Sequence, residues 1–505
     1  MNIADDSHDG SPPFPPASSA SDTAGERVAG RGNEESRIHS AYASVNRPVA
    51  LTRRELLKRC GCGFGYLALA DLLHAATAVS GGATQPLAPR ATHHPAKAKR
   101  IIFLFMHGGP SQVDTFDPKP KLKEHDGKGM PVSAEGAAPA PGKLLASPWE
   151  FARHGQSGLE ISSVFPELAR HCADDLCVIR SMHTEEPDHG QAVLKLHTGH
   201  GTLVRPSMGS WIVYGLGTLN QSLPGFITLC PSSITGGPQN YGSSFLPAVY
   251  QGTAIGQAGQ PVRNARLPLS SQREQLDLIQ SFNKAHAARV HRDPQLEGVI
   301  ESYELAFKMQ TEAPELTDLS EESDETKALY GIDQPATDDF GRQCLLARRF
   351  VERGVRFIQV SHSFKWDQHA NLKRDLERNA GEVDRPIAAL LQDLKRRDLL
   401  KDTLVLWGGE FGRTPTIQAG ADGRDHNPGG FSVWIAGGGV RGGMAYGSTD
   451  DYGRLAVDKK VHVHDLHATL LHLLGMDHTR LTYRYAGRDF RLTDVAGNVV
   501  RDIIA

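Results

Sequence analysis

With 505 residues, the chain is too long for one ordinary domain and suits one large domain with appendages. Only 39% of residues are hydrophobic, below the ~45–50% usual for globular proteins, so part of the chain is expected to lie outside a packed core. A net charge of -3 excludes a strongly basic nucleic-acid binder and a polybasic membrane binder, and no run approaches the ~18 apolar residues of a membrane-spanning helix.

Residues 1–50 are rich in Ser, Pro, Ala, Gly and acidic residues without apolar periodicity, the composition of a disordered extension. Residues 51–80 read differently. They carry Thr52-Arg53-Arg54-Glu55-Leu56-Leu57-Lys58, then a weakly apolar stretch from Cys60 to Val79. An arginine pair ahead of a modest apolar stretch resembles a twin-arginine (Tat) export signal; the other reading is an amphipathic helix with a basic start. The resemblance implies the Tat machinery as a partner and a periplasmic or secreted location. Residues 81–100, rich in Pro, Ala and His, are expected to link this segment to a domain over 101–505. Beyond the signal stand Cys172, Cys177, Cys230 and Cys344; no C-x-x-C occurs among them, which excludes a zinc ribbon. Cys172 and Cys177 are either a disulfide or two separate core thiols.

The domain opens with Ile101 to Met106, a short apolar run that predicts a buried strand, with His107-Gly108-Gly109-Pro110-Ser111 at its end. Gln343 to Arg353 is expected to be helical. Val355 to Val360 is a strand, followed by Ser361-His362 and the loop Trp366-Asp367-Gln368-His369. Ile387, Leu390, Leu391 and Leu394 fall at helical spacing. Thr403 to Trp407 is a strand ending at Gly408-Gly409-Glu410, and Phe431 to Ala436 is another, with His426 just upstream. Leu466, Leu470, Leu473 and Leu474 mark a late helix that stops at Gly475. Helices alternating with buried strands predict an α/β fold, a mostly parallel sheet with helices on both faces. Ligands of such sheets sit beyond the carboxyl ends of the strands, where His107, Asp367, His369 and Glu410 all stand.

Imidazole and carboxylate together suit a transition metal, zinc or manganese first, with calcium the alternative for an oxygen-rich set. Asp367-x-His369 places two ligands on one loop, and His426 lies in the turn Asp425-His426-Asn427-Pro428. Asp114 is a candidate further ligand; Asp117, before Pro118, suits a turn.

These segments carry a resemblance. His107 to Pro120, Ser181 to Gly215, Trp366 to Asn371, Glu410 to Pro415 and Asp425 to Gly439 resemble the "domain of unknown function 1501" family of the alkaline phosphatase and sulfatase superfamily. The resemblance implies an alkaline phosphatase-like core and up to two metals held at strand ends. Asp367 and His369 resemble one metal's Asp–His pair, and His426 its third ligand. Glu410 stands where an Asp is usual and is the candidate ligand of the second metal. Phe411 replaces the following His, and His107 replaces the Asp that ends the first strand. A second site would therefore draw on His107 and Asp114. No Cys or Ser stands at the sulfatase nucleophile position near Asp188-His189, which disfavours a formylglycine sulfatase. His189 is left as nucleophile, general acid or further ligand, with Ser111 and Thr184 as hydroxyl candidates. Arg413 is the best-placed arginine to hold an anionic ester. The implied activity is metal-assisted hydrolysis of a small-molecule or polysaccharide ester of the phosphate or sulfate class. The alternative is an inactive binding or scaffold protein of the same fold at the cell envelope.

Overall fold

Seven consecutive buried residues, Arg100–Met106, form β1, the strand around which the domain is built. The computed structural model describes residues 86–132, 140–231, 235–256, 271–287, 289 and 294–505. The extension expected over 1–50, the signal expected over 51–80 and the start of the 81–100 linker lie outside the described residues. In chain order the main sheet continues with β2 (Leu176–His183), β3 (Phe226–Leu229), β4 (Thr253–Ile255), β5 (Phe357–His362), β6 (Thr403–Gly408), β7 (Phe431–Ala436), β8 (Met444–Tyr446) and β9 (Val461–His462). The spatial order is β8-β2-β7-β6-β1-β5-β3-β4, with β9 also paired to β2. All pairings are parallel except those of β7, which runs antiparallel to both β6 and β2. The sheet is mostly parallel, as the strand–helix alternation predicts.

Each central strand is buried throughout because both its faces are covered. Ile102, Leu104 and Met106 of β1 join one core with α1 (Pro166–Cys172), α4 (Asp338–Glu352) and α5 (Leu372–Arg396). Ile101, Phe103 and Phe105 join the other with α2 (His189–Thr198), α3 (Met208–Leu216) and α6 (Val463–Leu473). Cys172 belongs to the first core and Cys177 to the second, and all four described cysteines are free thiols. The sheet itself separates that pair.

The described part of the 81–100 segment lies against the domain. Leu87 is buried, its carbonyl accepts from Thr218 N at 2.9 Å, and Arg90 donates to Tyr214 O at 2.6 Å and to the Tyr250 hydroxyl at 2.9 Å. Lys97 N and Ala98 N both reach Leu473 O at 2.9 Å. Structure thus begins ahead of Ile101, because these backbone groups find partners on α3 and α6.

Candidate metal centre

The carboxyl ends of the parallel strands and the amino end of β7 lie at one edge of the sheet, because β7 runs backwards. A hairpin of Gly412–Ile417 and Arg424–Asn427 connects β6 to β7. Its second strand delivers His426 to that edge. The loop after β5 delivers Asp367 and His369, and Arg424 N ties this loop to the hairpin through Gln368 O at 3.0 Å. The start of α2 delivers His189. Gly108, at φ 116°, is required here: a Cβ would lie 2.5 Å from Asp367 N and 2.8 Å from the Trp366 carbonyl carbon.

His189, Asp367, His369 and His426 each offer one ligand atom, and these atoms all lie within 4.8 Å of one another. Asp367 Oδ1 is 3.1 Å from His189 Nε2, 2.9 Å from His369 Nε2 and 3.5 Å from His426 Nε2. His369 Nε2 and His426 Nε2 are 3.0 Å apart. The outer nitrogens explain which way the rings present themselves. His189 Nδ1 meets Glu410 Oε1 at 2.6 Å, His426 Nδ1 meets the Pro187 carbonyl at 2.9 Å, and His369 Nδ1 meets Gln418 Oε1. Each outer partner is an acceptor, so each Nδ1 carries the proton, and a neutral ring keeps its lone pair on Nε2. With the rings neutral, three lone pairs and a carboxylate oxygen thus converge. A cation fits that arrangement. Zn–N bonds of ~2.0–2.1 Å in a tetrahedron put neighbouring ligand atoms about 3.3 Å apart, close to the spacings seen.

The electrostatics agree. Burial would raise the Asp367 carboxyl, but His189, His426 and Arg413 beside it hold it far below the usual carboxylate range. Burial opposes charge on His189, yet Asp367 and Glu410 raise it overall, so this point of the site favours positive charge. Glu410 is fully buried; against the desolvation that would raise it, His189 and His107 hold it low. Both its oxygens also accept from Gly108 N, at 3.0 and 3.2 Å. Phe411 lies, tilted, 4.7 Å from His189 and 4.5 Å from His426, and Phe364 lies 4.9 Å from His189, giving the imidazoles apolar walls. The His189 side chain is 12% exposed and that of His369 32%, so solvent reaches the group.

The other sequence candidates stand outside this group. Glu410 lies behind His189 as its hydrogen-bond acceptor. His107 is buried with its Nε2 at the Thr235 hydroxyl, and burial lowers its pKa. Asp114 forms a fully buried bidentate pair with Arg424, at 2.7 and 3.1 Å, and takes the Ser111 hydroxyl as a third donor. Arg413 is fully buried, and its donors go to Asp367 Oδ1 at 2.7 Å, Gly109 O at 3.0 Å, Gly108 O and Trp366 O. Thr184 is buried and held through its backbone to Pro428 O at 2.9 Å. Gln418 and Pro187, the acceptors behind His369 and His426, were not legible in the sequence; each lies far along the chain from the ring it serves.

A family model described as "Protein of unknown function (DUF1501)" matches residues 98–504. The chain belongs to that family. No curated protein matches the chain in sequence. Solved structures similar to it include the PsFucS1 sulfatase from Pseudoalteromonas sp., 12% identical over 75% of this chain and 68% of that one, with a TM-score of 0.32. They also include the alkaline phosphatase of the Antarctic bacterium TAB5, at 10%, 75%, 98% and 0.30 in the same order. A third is the lipoteichoic acid synthase LtaP of Listeria monocytogenes, at 8%, 81%, 78% and 0.32.

Proposed function

We propose that this member of the DUF1501 family is an exported metal-dependent hydrolase of an anionic ester, of the phosphate or sulfate class. The observation that carries the reading is the convergence of three Nε2 lone pairs on Asp367 Oδ1. Three imidazoles and one carboxylate suit zinc first and manganese second; calcium, which takes oxygen ligands, fits poorly. A divalent ion bound there supplies a Lewis acid for an ester oxygen.

The protein's own groups do the rest. Asp367, His369, His426 and His189 would hold the ion. Glu410, Gln418 and the Pro187 carbonyl fix the ring tautomers from behind. Arg413 keeps Asp367 ionised and aimed. A divalent ion there would offer an anionic substrate a positive centre. The half-open setting admits a small molecule or the side group of a polysaccharide. Export rests on the twin-arginine segment. Among the described residues no helix is long and apolar enough to cross a membrane.

One observation favours a second reading, a metal-holding binding or scaffold protein without hydrolysis. The Ser111 hydroxyl is committed to Asp114, and the Arg413 donors are spent on Asp367, His369 and backbone carbonyls. Neither is free to act on an ester. Elemental analysis of protein purified without chelator, joined to a screen of phosphate, phosphonate and sulfate esters, separates the readings. The enzyme reading expects bound zinc or manganese and hydrolysis that is lost in Asp367→Ala. Bound metal with no turnover supports the scaffold. No ion, and none taken up on adding zinc or manganese, overturns the metal centre.

A further inference from the structure

Behind the metal-facing loop lies a polar chain whose side chains hydrogen-bond to none of the four candidate ligands. Trp366 is fully buried, and its indole N–H donates to His362 Nδ1 at 2.9 Å. An indole nitrogen only donates. His362 Nδ1 is therefore the acceptor, and its Nε2 carries the proton. That proton points to Glu382 Oε2 at 2.8 Å, on α5. Lys365 Nζ also meets this carboxylate and balances its charge. The tautomer of His362 is thus set from both sides, in a residue only 5% exposed.

The chain leads straight to the ligand loop. Trp366 precedes Asp367 in sequence. Its N–H reaches His107 O at 3.2 Å, and its carbonyl accepts from Gln368 N at 3.1 Å and Arg413 Nη2 at 3.3 Å. Asn379, also on α5 and fully buried, holds Lys365 O at 2.7 Å. From Lys365 to Gln368 the loop is pinned from α5 on one side and from the end of β1 on the other. A shift of the Trp366 backbone would carry Asp367 with it, because the two residues share a peptide bond.

We infer that Glu382, His362 and Trp366 form a positioning relay that sets the Asp367–His369 loop for metal binding. The inference rests on the metal reading above. These are positioning residues: they act through Trp366 and meet neither ion nor substrate.

The test compares full-length wild type with His362→Leu, Glu382→Gln and Glu382→Ala. Zinc affinity is measured by competition with a chromophoric chelator, thermal stability on the metal-free proteins, and ligand geometry from the visible spectrum of the cobalt-substituted forms. His362→Leu and Glu382→Ala are expected to weaken zinc binding about tenfold, the low end for changes behind a ligand shell, and to alter the cobalt spectrum. Glu382→Gln keeps an acceptor for the Nε2 proton and should restore affinity to within about twofold. If His362→Leu fails to fold, Trp366→Phe replaces it, since it removes the bond to Nδ1 while keeping an aromatic ring in the core; the same loss is expected. Wild-type affinity and spectrum in a folded His362→Leu or Trp366→Phe overturn the relay while leaving the metal centre intact. A wild type that binds no zinc overturns the metal reading, and the relay with it.

Discussion

His369 Nε2 and His426 Nε2 face each other at 3.0 Å although 57 positions separate them in the chain. Two ring nitrogens whose partners on the far side are both acceptors have no proton to place between them, and Asp367 Oδ1 completes the triangle. The contact is stable when a cation sits among the three atoms. Asp367→Ala, His369→Ala and His426→Ala are each expected to abolish tight zinc binding. An ion at a hundred times its Kd stabilises the folded state by about 2.7 kcal/mol. Chelator should therefore lower the Tm of wild type by a few degrees and leave the three variants unmoved. A chelator shift that persists in Asp367→Ala would place the ion elsewhere.

Glu410 tests whether the residue behind a ligand matters as the geometry says. Its carboxylate holds the His189 Nδ1 proton at 2.6 Å and sits wholly buried. Glu410→Gln retains an oxygen acceptor but removes the charge. Zinc affinity should fall about 10–100-fold, the usual cost of altering a partner of a metal-ligating histidine. A complete loss of binding, equal to Asp367→Ala, would instead make Glu410 a direct ligand.

Much of this was legible in the sequence, for a physical reason. Strands β1, β5, β6 and β7 are covered on both faces, so they read as largely apolar runs, and their ends mark the site edge. β2 escaped notice because Arg180 and His183 interrupt it; inside the fold Arg180 Nε is satisfied by Phe116 O at 2.8 Å. β3 and β4, of 4 and 3 residues, are too short to show a period. Asp367, His369 and His426 declared themselves by residue type and position. The partners of Asp114 did not: Arg424 arrives from 310 residues away, and only the hairpin explains how.

That pair gives the third prediction. Asp114 and Arg424 are both fully buried and bonded through two hydrogen bonds. Removing one partner of such a pair leaves an uncompensated buried charge, at a cost of about 3–5 kcal/mol. Asp114→Ala should lose that much stability in urea denaturation of the metal-free protein, and Ser111→Ala, which removes one donor, about 1 kcal/mol. Were Asp114 a metal ligand, its removal would spare the metal-free protein and reduce only the zinc-dependent part of its stability.

The last prediction concerns pH. Asp384, on α5, reaches across to cap α1: its oxygens accept from Glu167 N at 2.7 Å and Leu168 N at 2.9 Å. Burial outweighs these two hydrogen bonds and pushes its carboxyl up from 3.8 to about 6. The folded protein therefore holds a proton that the unfolded chain releases between those values. The sign follows. Asp384 contributes stability that is fully present below pH 3.8 and lost as pH rises through about 6. At about 1.4 kcal/mol per pKa unit, the loss is on the order of 3 kcal/mol. Asp384→Asn keeps one acceptor and cannot ionise, so wild type should weaken relative to this variant between pH 4 and about 7. Denaturation must be followed with chelator present, so that metal uptake adds no pH dependence of its own. Parallel stability curves for the two proteins across that range would show that Asp384 folds with its ordinary acidity.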